Sequence, residues 1–170
     1  PTRHSPMLRS LVGSEMCIRD SFTGYSSLAI AKALPENGKL LCCDVSEEWT
    51  AIAREHWIKA GVEEKIDLVI APASKTLADL PVDKKIDFAF IDADKSGYLE
   101  YYEAIVPRLS EHGLIAIDNV LWSGRVVHSE VSDSDTISIK KFNDHVSEDE
   151  RVSSVMLSIG DGLTLVKRVS

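Results

Sequence analysis

Acidic side chains recur in this sequence where apolar runs stop. KLLCCDV ends around Asp44, IDFAFID ends on Asp92 with Asp94 two residues on, and LIAIDNV carries Asp118 and Asn119. One acid at such a point is also read as a helix cap. Three in succession at equivalent points indicate a site. Asp92, Asp118 and Asn119 offer only oxygen donors, which suits magnesium, calcium or manganese and not zinc. Three protein oxygens leave octahedral positions for water and substrate. Asp118-Asn119 is equally a turn-starting pair, and spacing alone leaves both readings open. Lys95 follows Asp92 by three residues. By itself it reads as a solvated charge; beside a bound cation its ammonium form is disfavoured, and a neutral amine serves as a general base. Asp44 lies twenty residues after Gly24, a spacing that suits a carboxylate receiving two ribose hydroxyls. The turn before it, FTGYSS, holds one glycine where nucleotide-binding turns have two or three, so simple turn chemistry is the competing reading. Trp122, three residues past Asn119, is either an aromatic wall for a flat substrate or core packing.

The elements that must position these groups alternate between short apolar runs and amphipathic stretches. Helices are predicted over Tyr25–Leu34, from a Ser46 cap to Gly61, over Ser74–Leu80, over Tyr98–Leu109 and over Thr136–Val146. In the second, Trp49, Ile52, Ala53 and Trp57 recur at helical spacing. Strands are predicted at Lys39–Val45, Lys65–Ala71, Ile86–Asp92 and Leu114–Val120. This strand–helix rhythm implies an α/β protein whose parallel sheet carries helices on both faces. Leu121–Ser134 reads as a polar loop. Val152–Ile159 and Leu163–Val169, joined by Gly160-Asp161-Gly162, read as a closing antiparallel hairpin. In such a sheet ligands bind outside the carboxyl ends of the strands, where the acids lie.

Composition removes several function classes. The 170 residues fit one α/β domain, and a formal charge of −8 leaves no basic surplus for blanketing phosphates, so no nucleic-acid partner is expected. No apolar run reaches the length of a membrane span, and no signal-peptide pattern is seen at the N-terminus. Cys17, Cys42 and Cys43 form no disulfide or metal-thiolate pattern, which favours a cytoplasmic setting. The histidines are scattered, and no G-x-S-x-G elbow supports a hydrolase. A nicotinamide-dependent oxidoreductase fits Asp44 but lacks G-x-G-x-x-G. A non-enzymatic binding module or inactive fragment is the third reading, motivated by the N-terminus. Residues 1–21 show no sustained period and stop abruptly where a strand should feed the turn at Gly24, so they read as a segment foreign to the domain at 22–170.

The runs FTGYSSLAIAKALP, CDVSEEWTAIAREHW, FAFIDADKSGYLEYYE, GLIAIDNVLWSGRV and SIGDGLTLVKR closely resemble the caffeoyl-CoA O-methyltransferase-like family, relatives of catechol O-methyltransferase, from Phe22 to Arg168. The resemblance implies a Rossmann-like methyltransferase fold and metal-dependent methyl transfer from S-adenosylmethionine to a hydroxyl of a catechol-like or caffeoyl-type aromatic. It places Asp92, Asp118 and Asn119 as metal ligands, with magnesium first and calcium or manganese as alternatives. Gly24, Ser26, Asp44, Ala73 and Asp94 fall at cofactor positions. Lys95 matches the general base, beside Asp92, and Ser123 with Trp122 falls at the substrate. The family's Glu-x-Gly-Thr, however, is matched by Ile18, Arg19, Asp20 and Ser21. That departure implies an altered or truncated N-terminus, a missing first strand, and a family-like homodimer deprived of its N-terminal contacts.

Overall fold

The computed structural model describes residues 24–130 and 133–169, together with the backbone of residues 15–19. Seven strands form one sheet: β1 (Glu15–Arg19), β2 (Lys39–Asp44), β3 (Ile66–Ile70), β4 (Ile86–Ile91), β5 (Leu109–Asp118), β6 (Val152–Leu157) and β7 (Leu163–Arg168). Their order is β3-β2-β1-β4-β5-β7-β6. The pairings from β3 to β5 are parallel, and β7 runs antiparallel to both β5 and β6. The mostly parallel α/β sheet with a C-terminal antiparallel hairpin is therefore present as expected.

The missing first strand is not. Glu15–Arg19 lies in the middle of the sheet, with Ile18 paired to Cys42 on one side and to Phe90 on the other. Without it, the facing backbone groups of β2 and β4 would be buried unpaired, a cost that folded chains avoid. Met16, Cys17 and Ile18 are an apolar run of only three residues in the sequence, too short for periodicity to mark as a strand. Asp20 and Ser21, like residues 1–14, lie outside the described residues, so for those positions the foreign character assigned to residues 1–21 rests on sequence alone, whereas Glu15–Arg19 belongs to the sheet.

Alternation within the strands assigns the helices to two faces. On one face, Leu40, Cys42 and Ile66 pack with Ala31 of α1 (Tyr25–Ala33), with Leu34 just past its end, and with Ala53 and Trp57 of α2 (Glu47–Lys59). On the other, Cys43, Ala89, Ile91, Ile115 and Ile117 pack with Leu77 of α3 (Ala73–Asp79), with Tyr98, Tyr102 and Ile105 of α4 (Tyr98–Ile105), and with Ile139, Phe142 and Val146 of α5 (Ser134–Glu148). Cys42 and Cys43 are thus buried on opposite faces, a packing role for both.

Local chemistry explains the element ends. The Ser46 hydroxyl caps α2 by accepting from the Trp49 amide at 3.3 Å, and Asp133 caps α5 by accepting from the Thr136 amide at 3.0 Å. The predicted buried face of α2 is narrower than expected. Thr50, Ala53 and Trp57 form it, while Trp49 and Ile52 remain exposed. Small Ala53 sets this geometry: a Cβ on Gly24, at φ 83°, would lie 2.7 Å from the Ala53 Cβ, so only glycine permits that approach. Helix α4 stops at Ile105 and passes into a tight turn at Val106–Arg108, because Pro107 has no amide to extend the ladder. Strand β5 begins at Leu109, five residues before the predicted Leu114, across a register shift between Ile86 and Phe88.

Candidate functional site at the carboxyl ends of the strands

Parallel strands with returning helices put Asp44, Ile70, Ile91 and Asp118 at one edge of the sheet. Asp92 and Lys95 leave β4 there, and Asn119 and Trp122 leave β5 beside them. Lys95 is the centre of the arrangement. It sits in a tight turn at Lys95–Gly97 and is 7% exposed. Its Nζ donates to Asn119 Oδ1 at 2.8 Å and to Tyr98 Oη at 2.6 Å, with Asp92 Oδ1 at 3.6 Å. The Trp122 ring centroid lies 5.2 Å from the same nitrogen, within cation–π range. The Tyr98 hydroxyl donates a hydrogen bond to the Asp118 carbonyl at 3.0 Å. Asp118 Oδ1 accepts from the Asn119 amide at 2.7 Å, a contact that goes with left-handed backbone at Asn119 (φ 57°).

These contacts bring Asp92, Lys95, Asp118, Asn119 and Trp122 into one cluster. Tyr98, which the sequence reading used only as the start of a helix, belongs to it as the side chain that holds Lys95. Its signal was the three-residue spacing from Lys95 at a helix start. Burial dominates the electrostatics. It raises the Asp92 carboxyl above the usual range; the nearby Lys95 ammonium opposes this and Asp118 adds to it. Burial also lowers Lys95, against the pull of Asp92 and Asp118. The Tyr98 phenol is pushed far above its ordinary value by burial and then by Asp92, so it remains protonated.

The second group lies towards the β2 and β3 ends. Asp44 is buried at the last position of β2, and its Oδ1 accepts from the Ser46 amide at 2.8 Å. Its carbonyl accepts from the Ala71 amide at 2.9 Å, which ties the end of β2 to the approach to α3, whose first residue is Ala73. Gly24 and Ser26 lie at the start of α1, with Gly24 the capping residue. Asp94 is exposed and accepts from Ser96 Oγ at 3.0 Å and Tyr101 Oη at 3.1 Å. Ser123 is exposed, with φ 54°, inside a turn at Trp122–Val127 that breaks the predicted polar loop.

Another convergence of ligand-type side chains lies elsewhere. Glu103, His145 and Asp149 bring ligand atoms within 4.8 Å of one another. Helices α4 and α5 both run back from the carboxyl edge, so this group sits towards the opposite end of the sheet. Arg151 already occupies it, with Nη2 at 2.7 Å from both Glu103 Oε1 and Asp149 Oδ2. His145 Nε2 and Glu103 Oε1 are also 2.7 Å apart, and Tyr102 donates to Asp149 at 2.7 Å. A guanidinium makes the site an ion-pair network joining α4 and α5 to the turn before β6.

A family model described as O-methyltransferase matches residues 4–169. The chain belongs to the O-methyltransferase family. Among its relatives, this family member is 45% identical over 153 residues to "Probable caffeoyl-CoA O-methyltransferase 1" of Dictyostelium discoideum, covering 88% of this chain and 66% of that protein. It is 38% identical over 157 residues to a caffeoyl-CoA O-methyltransferase of Stellaria longipes, covering 87% and 65%. The chain therefore spans slightly less than two thirds of these curated relatives. An SAH-bound methyltransferase of Podospora anserina superimposes with a TM-score of 0.82 at 25% identity, over 96% of this chain and 76% of that one. The Rossmann-like methyltransferase fold follows. Among the described residues, no helix is long and apolar enough to cross a membrane.

Proposed function

We propose that this chain transfers a methyl group from S-adenosylmethionine to a hydroxyl of a catechol-like or caffeoyl-type aromatic, with a divalent cation at the carboxyl edge of β4 and β5. The observation that carries this reading is the buried Lys95 Nζ set among Asn119 Oδ1, Tyr98 Oη and Asp92 Oδ1. Asn119 Oδ1 and Asp92 Oδ1 converge there, at 2.8 and 3.6 Å from Nζ, and the donor chemistry of Asp92, Asp118 and Asn119 suits magnesium, with calcium or manganese as alternatives. When bound, the ion lowers the pKa of a chelated hydroxyl, and S-adenosylmethionine supplies an electrophilic methyl on sulfonium sulfur.

The chain's own residues do the rest. Asp44 would accept hydrogen bonds from the ribose hydroxyls, while Gly24, Ser26, Ala73 and Asp94 would hold the cofactor. Trp122 and Ser123 flank the aromatic acceptor. With Nζ in its neutral amine form, which burial favours, Lys95 would take the hydroxyl proton, an O–CH3 bond would form as the S–CH3 bond breaks, and S-adenosylhomocysteine would leave. No covalent enzyme intermediate is needed, because binding brings the nucleophile and the methyl group to attack distance. The SAH in the Podospora relative supports the cofactor assignment. Thermal unfolding with S-adenosylhomocysteine and magnesium is the test. Ligand at 100 times its dissociation constant adds about 2.7 kcal/mol, a readily visible shift. Protection by NAD and not by S-adenosylhomocysteine would replace this reading with the oxidoreductase; no protection by either would leave a non-enzymatic module.

A further inference from the structure

Four of the described residues in the loop after β5 have left-handed backbone: Asn119 (φ 57°), Trp122 (φ 48°), Ser123 (φ 54°) and Gly124 (φ 76°). Three are not glycine, and for such residues this conformation is costly enough to persist only when neighbouring contacts impose it. The contacts come from the β6–β7 turn. The Val120 amide donates to the Gly162 carbonyl at 3.2 Å, and the Leu121 amide donates to the Asp161 carbonyl at 2.9 Å. The Ser123 amide donates to Asp161 Oδ1. Gly162, at φ 87°, lies so close that a Cβ there would sit 2.5 Å from Leu121 Cγ and 2.8 Å from its amide nitrogen. The first two bonds use backbone and survive any side chain at 161. The third, which reaches the middle of the left-handed run, depends on the carboxylate.

We propose that Asp161 is a positioning residue for the acceptor aromatic: by fixing the Ser123 amide it holds Trp122 and Ser123 in the conformation that receives the substrate ring. Trp122 lies over Lys95 on one side of this loop, and Asp161 anchors the other. Asp161 does not touch the reacting atoms in this account. The sequence marks the same Gly-Asp-Gly only as a hairpin turn. An aspartate there satisfies turn chemistry, but a turn alone does not require its carboxylate to cap an amide 38 residues away. This inference rests on the proposed methyl transfer for its kinetic readout, but not for its structural one.

The test compares the parent chain, Asp161→Ala and Asp161→Asn. The asparagine retains an oxygen that accepts from Ser123. Hydrogen exchange at the Ser123 amide, which needs no activity, is read beside the KM values for a catechol acceptor and for S-adenosylmethionine. In the alanine variant, Ser123 exchange and the acceptor KM should each rise about tenfold, while the KM for S-adenosylmethionine changes less than about twofold. Asparagine should restore both. Unchanged Ser123 exchange in the alanine variant, or faster exchange with an unchanged acceptor KM, overturns the proposal, as does an equal rise in both KM values. Should the alanine variant fail to melt cooperatively, Asp161→Gln, with its amide one methylene farther out, takes its place under the same criteria. A parent chain that binds S-adenosylhomocysteine yet methylates no catechol refutes the activity instead, and Ser123 exchange then decides the clamp by itself.

Discussion

Removing one oxygen from Tyr98 isolates how Lys95 is held. Tyr98 is fully buried, and its ring packs edge-on to Phe142 with centroids 5.5 Å apart. Tyr98→Phe keeps that packing and deletes only the hydroxyl that accepts from Lys95 at 2.6 Å and donates to the Asp118 carbonyl at 3.0 Å. Lys95 retains Asn119, but the carbonyl loses the donor that Tyr98 supplied. Leaving such a group unpaired costs about 1–3 kcal/mol. For a chain of this size the midpoint moves roughly 2–4 °C per kcal/mol, so a fall of roughly 2–12 °C is expected in calorimetry. The freed Lys95 should lower kcat about tenfold while S-adenosylhomocysteine binding, measured by titration calorimetry, stays at the parent value. A variant with both the parental midpoint and the parental kcat would refute the claim that Tyr98 positions Lys95.

Three further outcomes are expected. Lys95→Met, which keeps the length of the stem, should lower single-turnover methyl transfer by about 10²–10⁴ without loss of S-adenosylhomocysteine binding. Phe142→Ala removes a side chain 1% exposed that meets both Tyr98 and Tyr102 edge-on, and chemical denaturation should show a loss of about 3–5 kcal/mol. Arg151 holds the Asp149 and Glu103 carboxyls below their ordinary range, chiefly by hydrogen bonding. Groups with depressed folded-state pKa values stabilise the fold above their unfolded pKa and lose that contribution as pH falls through the folded value. The stability of the parent should therefore decline as pH drops below about 4, and Arg151→Ala should flatten that decline in urea titrations at stepped pH.

Legibility in the sequence followed the strength of local signals. The helix caps at Ser46 and the glycine at 61 are short-range chemistry, and the structure places α2 between them. The acids at the ends of β2, β4 and β5 were legible because side-chain alternation in buried strands leaves few other places for charge. Strand β1 was not, since five residues bracketed by Glu15 and Arg19 are specified by their two neighbours in the sheet and not by their own pattern. Tyr98 and Asp161 were visible only as a helix start and a turn residue. Their contacts to Lys95 and Ser123 depend on tertiary placement, which spacing does not encode. Glu103, His145 and Asp149 show the converse, because their proximity looks metal-like until Arg151 arrives from β6's leading edge.

The most direct measurement of the central claim is transfer of labelled methyl from S-adenosylmethionine to a catechol, run with magnesium, with chelator, and with magnesium restored. The account predicts labelled O-methyl product with magnesium, its loss in chelator, and its return when the ion is added back. Undiminished transfer in chelator would contradict the metal role of Asp92, Asp118 and Asn119. Binding of S-adenosylhomocysteine with no transfer to any catechol in magnesium would contradict the proposed reaction itself.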